Sequence, residues 1–132
     1  MSKQVKSTLR VHLWFETSKG MLFGPGRYVL LKNIIEHGSL NKAAKELGMS
    51  YRAAWGKMKQ TEEELGVPLL EKIDGRKGFK LSALGRELFE NYMRLMDEVE
   101  EYALKRAREM FPWQVNQYGQ DKNLPTKGVN SD

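Results

Sequence analysis

The stretch Ser39–Gly66, SLNKAAKELGMSYRAAWGKMKQTEEELG, reads as two helices joined by a tight turn. Ser39 can cap the first, since a serine hydroxyl accepts from a first-turn amide that has no partner within the helix. Leu40, Ala43, Ala44 and Leu47 then share its inward face. Gly48 stops it: a turn between closely packed helices needs a residue that tolerates positive φ, and the small alanines at 43 and 44 let the helices approach. Ser50 caps the second helix. At about 100° per residue, Ala54, Met58, Thr61 and Leu65 of that helix fall within an inward stripe about 60° wide. Arg52, Gly56 and Lys59 lie within about 40° of the opposite pole, with Tyr51 and Trp55 on the flank. A glycine at the outward pole costs about 1 kcal/mol of helix propensity relative to alanine. Close approach of the helix to a groove floor is one reason for it, and tolerance of an exposed glycine is the other.

On the N-terminal side, Leu9, Val11, Leu13 and Phe15 alternate with Arg10, His12, Trp14 and Glu16, a period of two that predicts a strand. Thr17-Ser18-Lys19-Gly20 supplies turn residues and Met21-Leu22-Phe23 a returning strand, so a β-hairpin is expected before the breaker Gly24-Pro25-Gly26. Val29, Leu30, Ile34 and Ile35 then recur at helical spacing up to His37-Gly38.

On the C-terminal side, Leu69–Ile73 and Phe79–Leu81 flank the turn Asp74-Gly75-Arg76-Lys77-Gly78, the pattern of a wing. Ser82 caps a helix expected to run to about Met110, roughly 43 Å at 1.5 Å per residue and longer than a small domain requires. Leu88, Tyr92, Leu95, Val99 and Tyr102 follow alternating spacings of four and three, the a/d pattern of a helix–helix seam, and predict a homodimer contact. From Pro112 the sequence has no period and many breakers, and disorder is expected there. The reading is therefore mainly α with small β: an N-terminal β-hairpin at 1–25, a winged helix-turn-helix at 26–81, a long dimerisation helix at 82–111 and a disordered tail at 112–132.

Composition narrows the function. The 132 residues are 40% hydrophobic and 30% charged, which suits one soluble globular domain. Cysteine is absent, and His12 and His37 stand far apart, so neither a disulfide framework nor a zinc site has its ligands. No apolar run suits a secretion signal or a membrane span, and the cytoplasm is the expected address. Residues 1–60 hold eleven Lys or Arg against three Glu, whereas residues 61–132 hold eleven against fourteen acids. The basic half contains the helix-turn-helix. Clustered positive charge supplies the salt-dependent, sequence-independent part of DNA binding, although a solvated basic surface has the same composition.

A major groove admits one α-helix, and side chains near its N-terminus reach base edges. Tyr51, Arg52, Trp55, Gly56 and Lys59 are thus the candidates for base contact. Arg52 leads them, because arginine pairs bidentately with guanine, but an arginine here could equally clamp a phosphate. For Trp55 a place at the edge of the core competes with a DNA contact. Ser39, Asn41, Lys42, Ser50 and Lys57 are placed to hold phosphates, which sets register without reading sequence. Arg76 and Lys77 at the wing tip are placed for the adjacent minor groove, or form a solvated turn.

Gly24-Pro25-Gly26-Arg27 after a hairpin, then Gly38-Ser39, Ala43-Ala44, Gly48-Met49-Ser50-Tyr51-Arg52 and Ala54-Trp55, resemble the DNA-binding domain of the ModE family of molybdate-responsive transcriptional regulators. The resemblance covers about residues 8 to 105. The helix-turn-helix is also similar to that of the LysR family, especially at Glu62–Leu69 and Leu81–Arg86. The ModE resemblance implies a winged-helix dimer on operator DNA and a separate C-terminal domain that binds molybdate. Too few residues follow Met110 for such a domain, so DNA reading is expected of this chain and direct molybdate binding is not; no cofactor is expected. An enzyme lacks its means here: no nucleophile–base pair, no phosphate-cradling glycine loop and no cofactor motif. The leading expectation is a sequence-specific regulator on double-stranded DNA. Beside it stand a winged-helix module that binds a protein partner without reading DNA, and an architectural binder with little sequence preference.

Overall fold

In the computed structural model, residues 5–119 are described. Four helices and three two-stranded sheets follow in the order β1 (Lys6–Leu9), β2 (Phe15–Thr17), β3 (Gly20–Phe23), α1 (Pro25–His37), α2 (Leu40–Leu47), α3 (Tyr51–Leu65), β4 (Leu70–Lys72), β5 (Phe79–Leu81), α4 (Ala83–Met110) and β6 (Gln114–Gln117). Local chemistry sets the helix boundaries. Pro25 occupies the first turn of α1, where its missing N–H costs nothing. Ser39, Ser50 and Ser82 accept from the amides of Lys42, Ala53 and Gly85, so each of α2, α3 and α4 has a side-chain cap. Gly48 adopts φ 69°, and its amide bonds back to Ala44 and Lys45, which makes the turn between α2 and α3.

The core joins α1, α2 and α3 to the base of the wing. Leu30, Leu31 and Ile34 of α1 pack with Leu40, Ala43 and Ala44 of α2, Ala54 and Met58 of α3, and Leu69, Leu70 and Leu81. Ala43, Ala44 and Ala54 are sealed from solvent, as their small size at a helix contact predicts. The inward stripes run out at their ends: Leu47 of α2 and Leu65 of α3 are exposed. The antiparallel pair β4–β5 is the wing, in register Leu70↔Leu81, Glu71↔Lys80 and Lys72↔Phe79.

Two expectations are corrected at the ends of the chain. The β2–β3 hairpin forms, but its first strand spans only Phe15–Thr17. The alternation from Leu9 to Leu13 is real in burial, yet that segment is not part of the hairpin: the carbonyl of Leu13 accepts from the Tyr92 hydroxyl at 2.6 Å. β1 instead runs parallel to β6, register Lys6↔Gln114 to Leu9↔Gln117. The segment after Pro112 is thus ordered as far as it is described. Val115 is buried, Ser7 Oγ donates to Gln114 O at 2.8 Å, and Arg108 Nε donates to Val115 O at 2.9 Å. Residues 120–132, the rest of the expected disordered tail, lie outside the described residues.

The long helix is anchored by aromatic rings. Tyr92 meets Phe23 edge-on at 5.1 Å and Tyr28 at 5.2 Å, while Phe89 stacks on Tyr28 at 5.0 Å. Tyr92, expected on a dimer seam, is therefore buried inside the chain. Leu88 also packs against the core. Helical geometry explains Tyr92: it turns toward the pole of Gly85 and Met96, which faces α1 and the wing base, away from the line of Leu84, Leu95 and Tyr102, with Leu88 between the two. Among the described residues, no helix is long and apolar enough to cross a membrane.

Candidate nucleic-acid interface

The outward pole of α3 is open. Tyr51 and Arg52 are exposed, and a Cβ built on Gly56 would have nothing within 4 Å. An unobstructed, basic first turn and a half on a helix is the shape that enters a major groove.

Trp55 and Lys59, expected in the same set, have intramolecular partners. Trp55 is half-buried, with its ring 4.9 Å from Phe79 of β5 and 6.1 Å from Tyr51. It joins α3 to the wing. Lys59 Nζ lies 4.6 Å over the Trp55 ring and 2.9 Å from Glu62 Oε1. The other Glu62 oxygen accepts from the amides of Leu69 at 2.7 Å and Leu70 at 2.9 Å, the start of the wing. Burial pushes the Glu62 carboxyl up, but the Lys59 hydrogen bond, the amides of Leu70 and Leu69 and the Lys59 charge outweigh it and hold the group below its ordinary value. In the sequence Glu62 stands only at the start of the LysR-like run Glu62–Leu69 and carries no site role, because a glutamate in a run of three has the pattern of a solvated face.

A second framework fixes α3 to the hairpin. Buried Arg27 donates through Nη1 to Leu22 O and through Nη2 to Gln60 Oε1, both at 3.1 Å. The single hydroxyl proton of buried Thr61 is shared between the carbonyls of Leu22 and Lys57 at 3.3 and 3.1 Å, and Thr17 Oγ1 donates to Glu64 Oε1 at 2.6 Å. These contacts tie α3 to the hairpin and leave Arg52 and Gly56 uncovered.

The expected phosphate and wing residues come together. A cleft of about 460 Å³ is lined by His37, Ser39, Asn41 and Lys42 on one side, Ile73, Arg76, Lys77 and Gly78 on the other, and Tyr51. Ser50 lies at the α3 cap, and Lys57 is half-buried on the inner flank of α3, so neither of these two lines the cleft. His37 and Ile73 had no role in the sequence reading; only their adjacency to Gly38-Ser39 and to the wing turn marks them. Asp97, Glu98 and Glu101, with Lys105 and Arg108 beside them, line a separate surface of α4 near Gln117. Among the described residues no group of three His, Cys, Asp or Glu side chains could hold a metal ion.

Residues 27–90 match the family of bacterial regulatory helix-turn-helix proteins, lysR family. That matched segment is similar to a LysR-type helix-turn-helix. Around it the chain is similar to the HTH-type transcriptional regulator CbbR of Xanthobacter flavus, 41% identical over 66 residues, which cover 48% of this chain and 19% of CbbR. It is also similar to the transcriptional regulator ModE of Haemophilus influenzae, 32% identical over 94 residues, covering 69% of this chain and 36% of ModE. The chain thus spans a fifth to about a third of the length of these relatives. Among solved structures, the CbnR_DBD–DNA complex aligns with a TM-score of 0.46 and 28% identity, over 63% of this chain and 93% of that one. The LysR-type match spans α1 through the first turns of α4, and the ModE similarity extends over 69% of the chain, in keeping with the two resemblances seen in the sequence.

Proposed function

We propose that this chain is a transcriptional regulator that binds double-stranded DNA at particular sequences, with α3 in the major groove. One observation carries the reading: Arg52 and the open backbone at Gly56 share an exposed face of α3, beside a cleft lined by Lys42, Arg76 and Lys77. Arg52 reads base edges and Gly56 admits the groove floor. Trp55 and Lys59 position α3 against the wing. The role requires no enzymatic step, no cofactor and no direct molybdate binding, and it belongs in the cytoplasm.

Two copies acting together fit the same reading. Leu84, Leu95 and Tyr102 are exposed and lie within about 20° of one line along α4, with half-buried Val99 beside them. This stripe replaces the expected seam through Tyr92, and a homodimer along it would present two α3 helices to a pseudo-palindromic site. A single-chain mass by light scattering at concentrations that saturate DNA would remove the second copy.

The regulator reading is tested by competing the protein against genomic DNA fragments at several salt concentrations, with Arg52→Ala beside it. A subset of fragments should remain bound at high salt, and Arg52→Ala should relax that preference by about 1–3 kcal/mol at one base position. Equal competition by every fragment would leave only an architectural binder, and absence of binding at low salt would point to a protein-interaction module.

A further inference from the structure

The walls of the 460 Å³ cleft come from two elements distant in sequence, the α1–α2 corner with the start of α2 and the wing tip. Lys42 stands on one wall, Arg76 and Lys77 on the other, and among the described residues no Asp or Glu lines the space between them. Ser39, Asn41 and Tyr51 add neutral groups that can donate hydrogen bonds. Cations on opposite walls with donors between them suit an anion that lies inside the cleft, whereas a wing that reached away from α2 into the next groove would not need to face Lys42.

We infer that one strand of the DNA backbone runs through this cleft, so that α2 and the wing hold the same phosphates from two sides. The inference rests on the DNA-binding reading and changes two roles within it. Arg76 and Lys77 act on the phosphate backbone and not on the minor-groove floor. Tyr51 belongs to the phosphate grip and not to the base readers, with its hydroxyl available as a donor and its ring stacked on Trp55 at 6.1 Å. Because Trp55 also meets Phe79 of β5 at 4.9 Å, the α3 start and the wing that forms the second wall are joined by one run of rings. The width of the grip is therefore built into the fold.

The test uses a duplex selected by the full chain from a random pool. Methylphosphonates, which remove the charge of single phosphates, are placed one position at a time, and wild type, Lys42→Ala and Arg76→Ala are compared on each duplex at several salt concentrations. Each variant should weaken binding to all sequences alike and reduce the slope of log K against log salt by about one. The same one or two methylphosphonate positions should abolish the effect of both variants. Inosine in place of guanine, which removes the minor-groove amino group, should leave the Arg76→Ala effect unchanged. Separate phosphates for Lys42 and Arg76, or loss of the Arg76→Ala effect with inosine, would overturn the shared grip while leaving DNA binding intact. Failure to select or bind any duplex would overturn the DNA reading and the grip with it.

Discussion

Glu62→Ala should cost at least about 2 kcal/mol of folding stability, far more than an acidic residue in the run Glu62-Glu63-Glu64 would suggest. The side chain is only 10% exposed and serves three donors: Lys59 Nζ and the amides of Leu69 and Leu70. Leu69 and Leu70 are themselves buried, so truncation leaves two amides with little access to water, at about 1–3 kcal/mol each. The Lys59 side chain is 45% exposed, and its share of the loss is at most about 1 kcal/mol. The assay is urea unfolding at pH 7, where the midpoint should fall with the m-value unchanged. A pH series gives the independent reading. Because the folded carboxyl is held below its ordinary value, its contribution is present above the unfolded value of about 4.3 and is lost as pH falls through the folded one. The gap between wild type and Glu62→Gln should therefore narrow from pH 7 to acid pH. Equal midpoints for wild type and Glu62→Ala at pH 7, or a Glu62→Gln gap that does not change with pH, would refute the account of this joint.

Two glycines of similar helical setting should respond with opposite sign. A Cβ on Gly85 would lie 2.6 Å from the Leu69 carbonyl oxygen, so Gly85→Ala should lower the melting temperature, the overpacking cost of about 1–3 kcal/mol exceeding the gain in helix propensity. Gly56→Ala, with open space around it, should stabilise by about 0.5–1 kcal/mol and at the same time weaken DNA binding; unchanged affinity would deny the close approach. Glu100 supplies a test of the acidic helix. Burial and neighbouring Asp97 hold its carboxyl above the ordinary value, so the ionised group counts against the fold at neutral pH and not below the unfolded value near 4. Glu100→Gln should raise the urea midpoint at pH 7 and leave it unchanged at pH 3; a lowered midpoint at pH 7 would contradict this.

The helix-turn-helix and wing were legible in the sequence because their determinants are local. Ser39, Ser50 and Ser82 act as caps through their own hydroxyls, and Gly48 turns the chain through its own backbone. Periodicity gave the inward faces of α2 and α3 but not how far they are covered, so Leu47 and Leu65 were read as inward although they are exposed. The a/d spacing on α4 could not tell an internal partner from a second copy, since both require apolar residues at the same interval; Phe23 and Tyr28 claimed Tyr92. The burial of Arg27 and the attachment of Lys59 to Glu62 depend on where the hairpin and the wing base come to rest, and no short window of sequence states that. The cleft was visible residue by residue at Ser39, Asn41, Lys42, Arg76 and Lys77, while their convergence on a single space was not.

The pairing of β1 with β6 has a consequence for the order in which this chain assembles. One of its hydrogen bonds joins residues 107 positions apart, and closing so long a loop gains nothing until α1 to α4 have already brought the two ends near. A lone two-stranded sheet with few buried side chains is also weak on its own. It should close last in folding and open first in the native state. Since Arg108 Nε is held by the Val115 carbonyl, each such opening also releases a tie on the last turns of α4. The far end of the long helix would then fray on a faster clock than its start beside the wing base, so this molecule is firmest around the helix-turn-helix and most compliant where α4 reaches outward.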